Sequence, residues 1–211
     1  TLEAIGKEYK ITRERVRQIE ADALKFLKKD EESADFQPLF SAFEDYLKYR
    51  GSVMTDDVFL AECVPQPFQR RDAILLLTLH KLFHHLPETG AYRARWTTDK
   101  PKAALAEKII AGVTKDLADK SDVLSEEGLY HLAGRNAEEF LGETLERHVL
   151  AAYLATSKSI RKNPYGEYGL ASWPAITPTG VKDKAFTAIV KAGCPMHFRE
   201  VAAAIDRAGW G

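Results

Sequence analysis

Cysteine is scarce in this chain of 211 residues: Cys63 and Cys194 are the two present, 131 positions apart and with no CxxC pair. Neither a zinc ribbon nor a disulfide framework can be built from that spacing, so a reduced cytoplasmic protein without a structural metal is expected. Proline is also thin, at nine residues. The long proline-free stretches carry apolar residues at helical spacing, which predicts a mainly α fold. An excess of either charge is missing, with 30 Lys and Arg against 31 Asp and Glu. Global basicity is thereby excluded, and any nucleic-acid surface must be a local patch. Long hydrophobic runs are missing too. No apolar run, Ala73-Ile-Leu-Leu-Leu included, approaches the roughly 18 residues of a membrane span, and no signal peptide opens the sequence. A start at Thr1 rather than Met reads as an excised piece.

What charge there is divides the chain. Residues 1–29 carry eight bases and five acids, and the six residues 30–35, DEESAD, carry four acids and no base, the composition of a solvated linker. Residues 36–157 sum to −4 and residues 158–211 to +4. The positive ends flank an acidic middle.

The middle contains a repeat. Residues 43–63 lie over 113–133 at an offset of 70, matching Leu47 with Leu117, Val53 with Val123, Met54 with Leu124, Thr55 with Ser125 and Phe59 with Leu129. Each copy reads as a helix, a turn, and a second helix capped by Thr55 or Ser125 with two acids in its first turn, Asp56-Asp57 or Glu126-Glu127. A longer helix follows, Arg70 to Leu86 or Ala137 to Ser157, and then a tyrosine-to-tryptophan segment, Tyr92 to Trp96 or Tyr168 to Trp173. Three helices and a short aromatic strand predict two winged helices, over 36–98 and 102–174, each wing ending on its tryptophan. A third, shorter copy over 181–211 places Val190, Met196, His197 and Val201 like Leu117, Leu124, Ser125 and Leu129, and stops before a third helix.

The most informative stretch is residues 1–29. Leu2, Ile5 and Tyr9 line one face of a short helix, Ile11 fills a turn, and Thr12 caps a second helix with Arg15 at its N3 position. Val16, Ile19, Ala23, Leu24 and Leu27 form the apolar stripe of that second helix, leaving Arg13, Glu14, Arg17, Gln18 and Asp22 opposite. Arg suits guanine edges and phosphates, Gln suits adenine, and an acid suits the cytosine amino group, so this face has the donors and acceptors for major-groove readout. The same charges would also suit an ordinary amphipathic surface helix.

With those residues in view, residues 1–29 closely resemble region 4 of bacterial sigma-70 factors, whose hallmark reads TLEEIGxxFxVTRERIRQIExxALxxL. In that family the second helix enters the major groove of the promoter −35 element. The resemblance implies base or phosphate contacts for Arg13, Glu14, Arg17 and Gln18, with Lys28 and Lys29 as phosphate partners, and it implies double-stranded promoter DNA and bacterial RNA polymerase as partners. Among the departures from the hallmark, Tyr9 stands for Phe, and Lys10 stands where the turn commonly has Gly, so that Lys10 must adopt a left-handed conformation if the turn is unchanged. The helix that precedes this motif in the family is not in this sequence. At the other end, residues 163–205 resemble the entry and first two helices of the HARE winged-helix module, on GVKDKAF, KAGCPMHF and EVAAAI. That module occurs in the delta subunit of bacterial RNA polymerase, in restriction enzymes and in chromatin proteins, and it implies DNA or polymerase association.

Other chemistry is poorly represented. His80 and His84 stand at i,i+4, but Lys81 replaces the glutamate of HExxH and no third ligand is evident. Cys63 falls on an apolar helix face and His197 at a capping position, and no cluster of acids with a lysine suggests a nuclease. Lys158, Arg161 and Lys162 form one basic cluster able to touch a phosphate backbone, or simply to face water. The expectation is therefore a non-enzymatic, cofactor-free and metal-free cytoplasmic, nucleoid-associated transcription protein with no membrane or small-molecule partner. A winged-helix interaction scaffold, or the recognition part of a restriction or modification enzyme, is the alternative.

Overall fold

The computed structural model describes residues 1–27, 36–63 and 69–210. The expected linker 30–35, Lys28 and Lys29 lie outside the described residues. The protein is mainly helical with a few short antiparallel strands, consistent with a helix-turn-helix plus winged helices with short wings.

The first repeat runs α3 (Gln37–Tyr49), β1 (Val53–Thr55), α4 (Asp56–Cys63), α5 (Arg70–Leu79), β2 (His84–Leu86) and β3 (Arg95–Thr97). Its sheet has the order β1-β3-β2, with β3 pairing Met54 on one side and His85 on the other through Trp96. Trp96 is buried among Phe40, Phe43, Leu47, Phe59, Leu77 and Phe83, and the rings of Phe43 and Phe59 meet edge-on at 5.8 Å. This aromatic core is what the apolar spacing of α3 and α4 was built to cover.

The second repeat runs α6 (Lys100–Lys120), α7 (Glu126–Leu141), α8 (Arg147–Thr156), β4 (Ile160–Lys162) and β5 (Tyr168–Leu170). A single bridge, Leu124 to Tyr168, stands where the first repeat has β1, and β5 pairs with β4. The strand order is thus the same, with one strand shortened to a residue. The equivalence of Met54 with Leu124 holds at the sheet, since both pair with the third strand.

The third strands differ from expectation. Trp96 pairs with Met54, but Leu124 pairs with Tyr168, so the residue equivalent to Trp96 is Tyr168 and not Trp173. Trp173 lies past β5 and packs over Gly169, where a Cβ would come within 2.7 Å of the indole. Two expected helices also break. The stretch expected from Ala137 to Ser157 is the end of α7, a stop at Gly142 in the left-handed region (φ 72°), and then α8. The first repeat's equivalent stops at Leu79, with His80 extended and His84 already on β2, so the two histidines do not share a helix face. His80 packs against the Phe40 and Phe83 rings. No group of three or more potential metal ligands occurs among the described residues.

The two repeats are joined by a seam that the sequence did not signal. Helix α8 lies against β1 of the first repeat, and the Tyr153 hydroxyl donates to the Gly51 carbonyl at 2.9 Å inside it. Main-chain bonds continue the seam, from Arg93 N–H to the Thr156 carbonyl (2.8 Å) and from Lys158 N–H to the Ala91 carbonyl (2.9 Å). Arg95, buried on β3, forms an ion pair with Glu107 of α6 and lies under the Tyr92 ring. Tyr49 stacks on His148 with centroids 4.1 Å apart.

Beyond the second repeat, α9 (Val181–Ala192) and α10 (Phe198–Ala208) form a helical pair. Gly193 ends α9 in the left-handed region, and His197 caps α10 in a capping box with Glu200. Val201 is the buried contact of α10, as its alignment with Leu129 implies.

Gly51 has φ +79°, and a Cβ there would meet Val149 at 2.5 Å and the Tyr153 ring at 3.0 Å. Left-handed strain and overpacking act together in Gly51→Ala, which is expected to destabilise the tandem by roughly 3 kcal/mol in denaturant unfolding. Burial pushes the Tyr153 hydroxyl up from 10.0 to about 12. The neutral phenol favours the folded state, so its contribution is complete below pH 10 and is lost as pH rises toward about 12. Unfolding measured across that window should show wild type losing on the order of 2 kcal/mol more than Tyr153→Phe; parallel pH profiles would remove this role.

Candidate nucleic-acid interface

The N-terminal hairpin consists of α1 (Leu2–Tyr9) and α2 (Arg13–Leu27). The Thr1 hydroxyl accepts from Ala4 N–H at 3.3 Å and starts α1, and Lys10 ends it with φ 54° and ψ 39°. The left-handed conformation expected of Lys10 is therefore adopted, at the modest cost a non-glycine residue bears there. Gly6 of α1 is needed where the following turn packs on the helix, because a Cβ would lie 2.8 Å from the Ile11 carbonyl. The Thr12 hydroxyl accepts from Arg15 N–H at 3.1 Å, the capping bond expected at N3.

Arg13, Glu14, Arg17 and Gln18 are all exposed, on one continuous face of α2. They are not independent. The Arg17 guanidinium donates twice to Glu14, at 2.9 and 2.6 Å, and Gln18 donates to the same carboxylate at 3.4 Å. Arg17 holds the Glu14 carboxyl below the usual glutamate range. Arg15, singled out in the sequence only for its capping position, reaches Gln18 Oε1 at 3.4 Å and joins this network. Its i,i+3 spacing to Gln18 was the signal available.

The apolar side of the hairpin is largely open. Val16 is buried, but Tyr9 and Phe26 are each 67 % exposed and Ile19 is 48 % exposed. Two short helices cannot enclose a core between them, so most of the stripe faces outward.

The basic cluster at 158–162 is divided. Lys158 is engaged with the first repeat, donating to Glu88 (2.5 Å) and to the Thr89 carbonyl (3.1 Å), so it serves the seam instead of a phosphate. Lys162 is paired with Glu126 at 3.4 Å and lies over the Tyr168 ring. Arg161 is exposed, and its guanidinium makes no hydrogen bond or ion pair among the described residues. Cys63 is half-buried, and burial pushes its thiol up to about 12, so it is not a reactive thiolate at neutral pH.

Residues 1–29 match the family described as Sigma-70, region 4. They form a DNA-binding helix-turn-helix of that type. No curated protein and no solved structure matches the chain.

Two substitutions separate base reading from bulk charge. Gln18→Ala removes no charge, so it should cost roughly 1 to 3 kcal/mol of discrimination between cognate and scrambled duplexes without weakening binding to both. Glu14→Gln removes an acid and the ion pair that orients Arg17, and it should tighten binding to scrambled duplexes while narrowing the preference for the cognate one. Fluorescence anisotropy titrations at several salt concentrations read both effects; a Gln18→Ala protein that discriminates like wild type would overturn the readout assignment.

Proposed function

We propose that this protein is a bacterial transcription factor that reads a −35-like promoter element with α2 and associates with RNA polymerase. The observation that carries the reading is the pre-ordered, solvent-facing set Arg13, Glu14, Arg17 and Gln18 on the second helix of a sigma-70 region 4-type motif. Arg13 and Arg17 supply donors for guanine or phosphate, Gln18 supplies a bidentate partner for adenine, and Glu14 orients Arg17. On this reading Lys28 and Lys29 add phosphate contacts that fix register without selecting sequence. The exposed Tyr9, Ile19 and Phe26 give the hairpin an apolar side on which a polymerase surface can dock. The protein acts without a cofactor or catalytic step, in the cytoplasm and on the nucleoid; no described helix is long and apolar enough to cross a membrane.

The tandem repeats have a different role in this proposal. The third helix of a DNA-reading winged helix lies in a groove, whereas α8 is packed on β1 and its Tyr153 is buried in the seam. On α5 the arginines are neutralised, Arg70 by Asp57 at 2.6 Å and Arg71 by Asp72 at 3.5 Å, and the exposed residues include Ile74 and Leu75. These features favour a platform for protein contacts, and the 181–211 segment extends it with a HARE-like helical pair.

Footprinting on a promoter library with and without RNA polymerase tests the proposal. Protection near −35 that strengthens with polymerase, and whose affinity falls steeply with salt, is the expected result. Polymerase binding with no protected duplex would leave an interaction scaffold in its place.

A further inference from the structure

The seam between the repeats encloses a cleft of about 590 Å³. One wall comes from the first repeat, through Thr55, Asp57 and Arg93, and the other from the second repeat, through Ser157, Arg161 and Lys162. Three of these six side chains are cationic and one is anionic, and Asp57 is neutralised by its ion pair with Arg70. The protein's acidic middle thus has a basic hollow in it.

The cations are held in place while their charges remain available. Arg93 is anchored through its main chain, whose N–H donates to the Thr156 carbonyl, yet its exposed guanidinium makes no hydrogen bond or ion pair among the described residues. Arg161 is anchored by pairing with Gly169 across β4 and β5, and its guanidinium is equally unengaged among the described residues. Two unpaired guanidiniums from different repeats thus line one hollow, each with a planar fork of donors that suits phosphate oxygens.

Buried hydroxyls point to the same chemistry. Thr55 is 4 % exposed and lines the cleft, and its hydroxyl makes no hydrogen bond among the described residues. Ser157 is 1 % exposed, and its oxygen accepts from Ser159 N–H and Ile160 N–H, both at 3.2 Å, which fixes the hydroxyl at the cleft wall. A hydroxyl on the wall of a cleft can turn its O–H toward a ligand oxygen.

We propose that this cleft binds a small phosphorylated ligand of the nucleoside polyphosphate class, with Arg93 and Arg161 clamping phosphate oxygens and Thr55 and Ser157 donating to them. The volume lies within the range of small-molecule sites, roughly 300 to 1,000 Å³. Tyr130 and Tyr168 also line the cleft and provide apolar surface for a nucleoside. A nucleic-acid strand fits less well: the hollow is bounded by two repeats, and Lys162 is itself tied to Glu126, whose carboxylate would repel a continuing backbone. Because Arg93 and Arg161 come from different repeats, the ligand would also brace the seam, coupling occupancy to the stability of the tandem. The site is independent of the promoter reading assigned to α2.

Isothermal titration of the full chain with inorganic pyrophosphate and with ATP tests this. One ligand per chain is expected, with Arg93→Gln and Arg161→Gln each weakening binding at least tenfold, or about 1.4 kcal/mol. Arg199→Gln, an exposed arginine on α10, should bind as wild type does. Both cleft arginines are exposed, so their variants should fold; circular dichroism and the unfolding midpoint without ligand confirm it, and ligand should raise that midpoint in wild type and Arg199→Gln and raise it less in the two cleft variants. Absence of binding by both probes at millimolar concentration would overturn the proposal, as would binding that neither cleft substitution alters. Binding of a single-stranded oligonucleotide that requires Arg93 and Arg161, when neither probe binds, would overturn it in favour of a strand site.

Discussion

The hydrogen bond from Tyr153 to the Gly51 carbonyl sits in the packing of α8 on β1, and most of the molecule's behaviour depends on that packing. A helix third in order within a winged-helix arrangement is ordinarily the element free to enter a groove. Here its apolar side is used to join two repeats, and the close approach requires a residue without Cβ at Gly51. The consequences run in both directions along the seam. Arg95 can be buried only because Glu107 reaches it from the neighbouring repeat, and an unpaired guanidinium in that position would be strongly unfavourable. The seam also sets Arg93 and Arg161 on facing walls, so the basic hollow exists only in the assembled tandem.

The N-terminal hairpin is organised by local bonds instead. Thr1 and Thr12 caps, the left-handed Lys10 and the close turn at Gly6 fix the angle between its helices without a large core. Its polar face is preassembled around Glu14, which holds Arg17 and Gln18 in one arrangement. Exposed ion pairs of this kind contribute little to stability, so their value lies in orienting donors. An arginine presented with a fixed fork loses less rotamer freedom on meeting a base or phosphate than a free one does.

Much of this was legible from residue patterns. The offset of 70 placed the two helix pairs and the sheet partners Met54 and Leu124, because buried positions recur with the fold and not with surface chemistry. The Thr12, Ser125 and His197 caps were readable from their place before a helix. Three features were misread for physical reasons. Gly142 lies inside an apolar pattern that continues on both sides, so the pattern alone did not reveal that it stops α7. The tyrosine-to-tryptophan segments looked alike in composition, but strand pairing counts residues, and it set Trp96 against Tyr168. Lys158 looked like a free surface cation because its partners, Glu88 and the Thr89 carbonyl, lie about 70 positions away. The seam itself was hidden because α8 is apolar enough to have been covered by its own repeat.

The element that follows the turn of a helix-turn-helix occurs three times, as α2, α5 and α8, and its surface decides its use each time. On α8 Tyr153 reaches into the first repeat at Gly51, and Leu150 and Leu154 are buried in the core of the second. On α5 the two arginines are neutralised by Asp57 and Asp72, and Ile74 and Leu75 offer no donors. Of the three, only α2 combines exposure with unneutralised charge: Arg13 and Arg15 form no ion pair among the described residues, while Arg17 is paired with Glu14. The backbone arrangement alone would assign the three helices one role; the distribution of donors and apolar area over their surfaces separates a helix suited to reading base edges from one suited to protein contact and one committed to the seam.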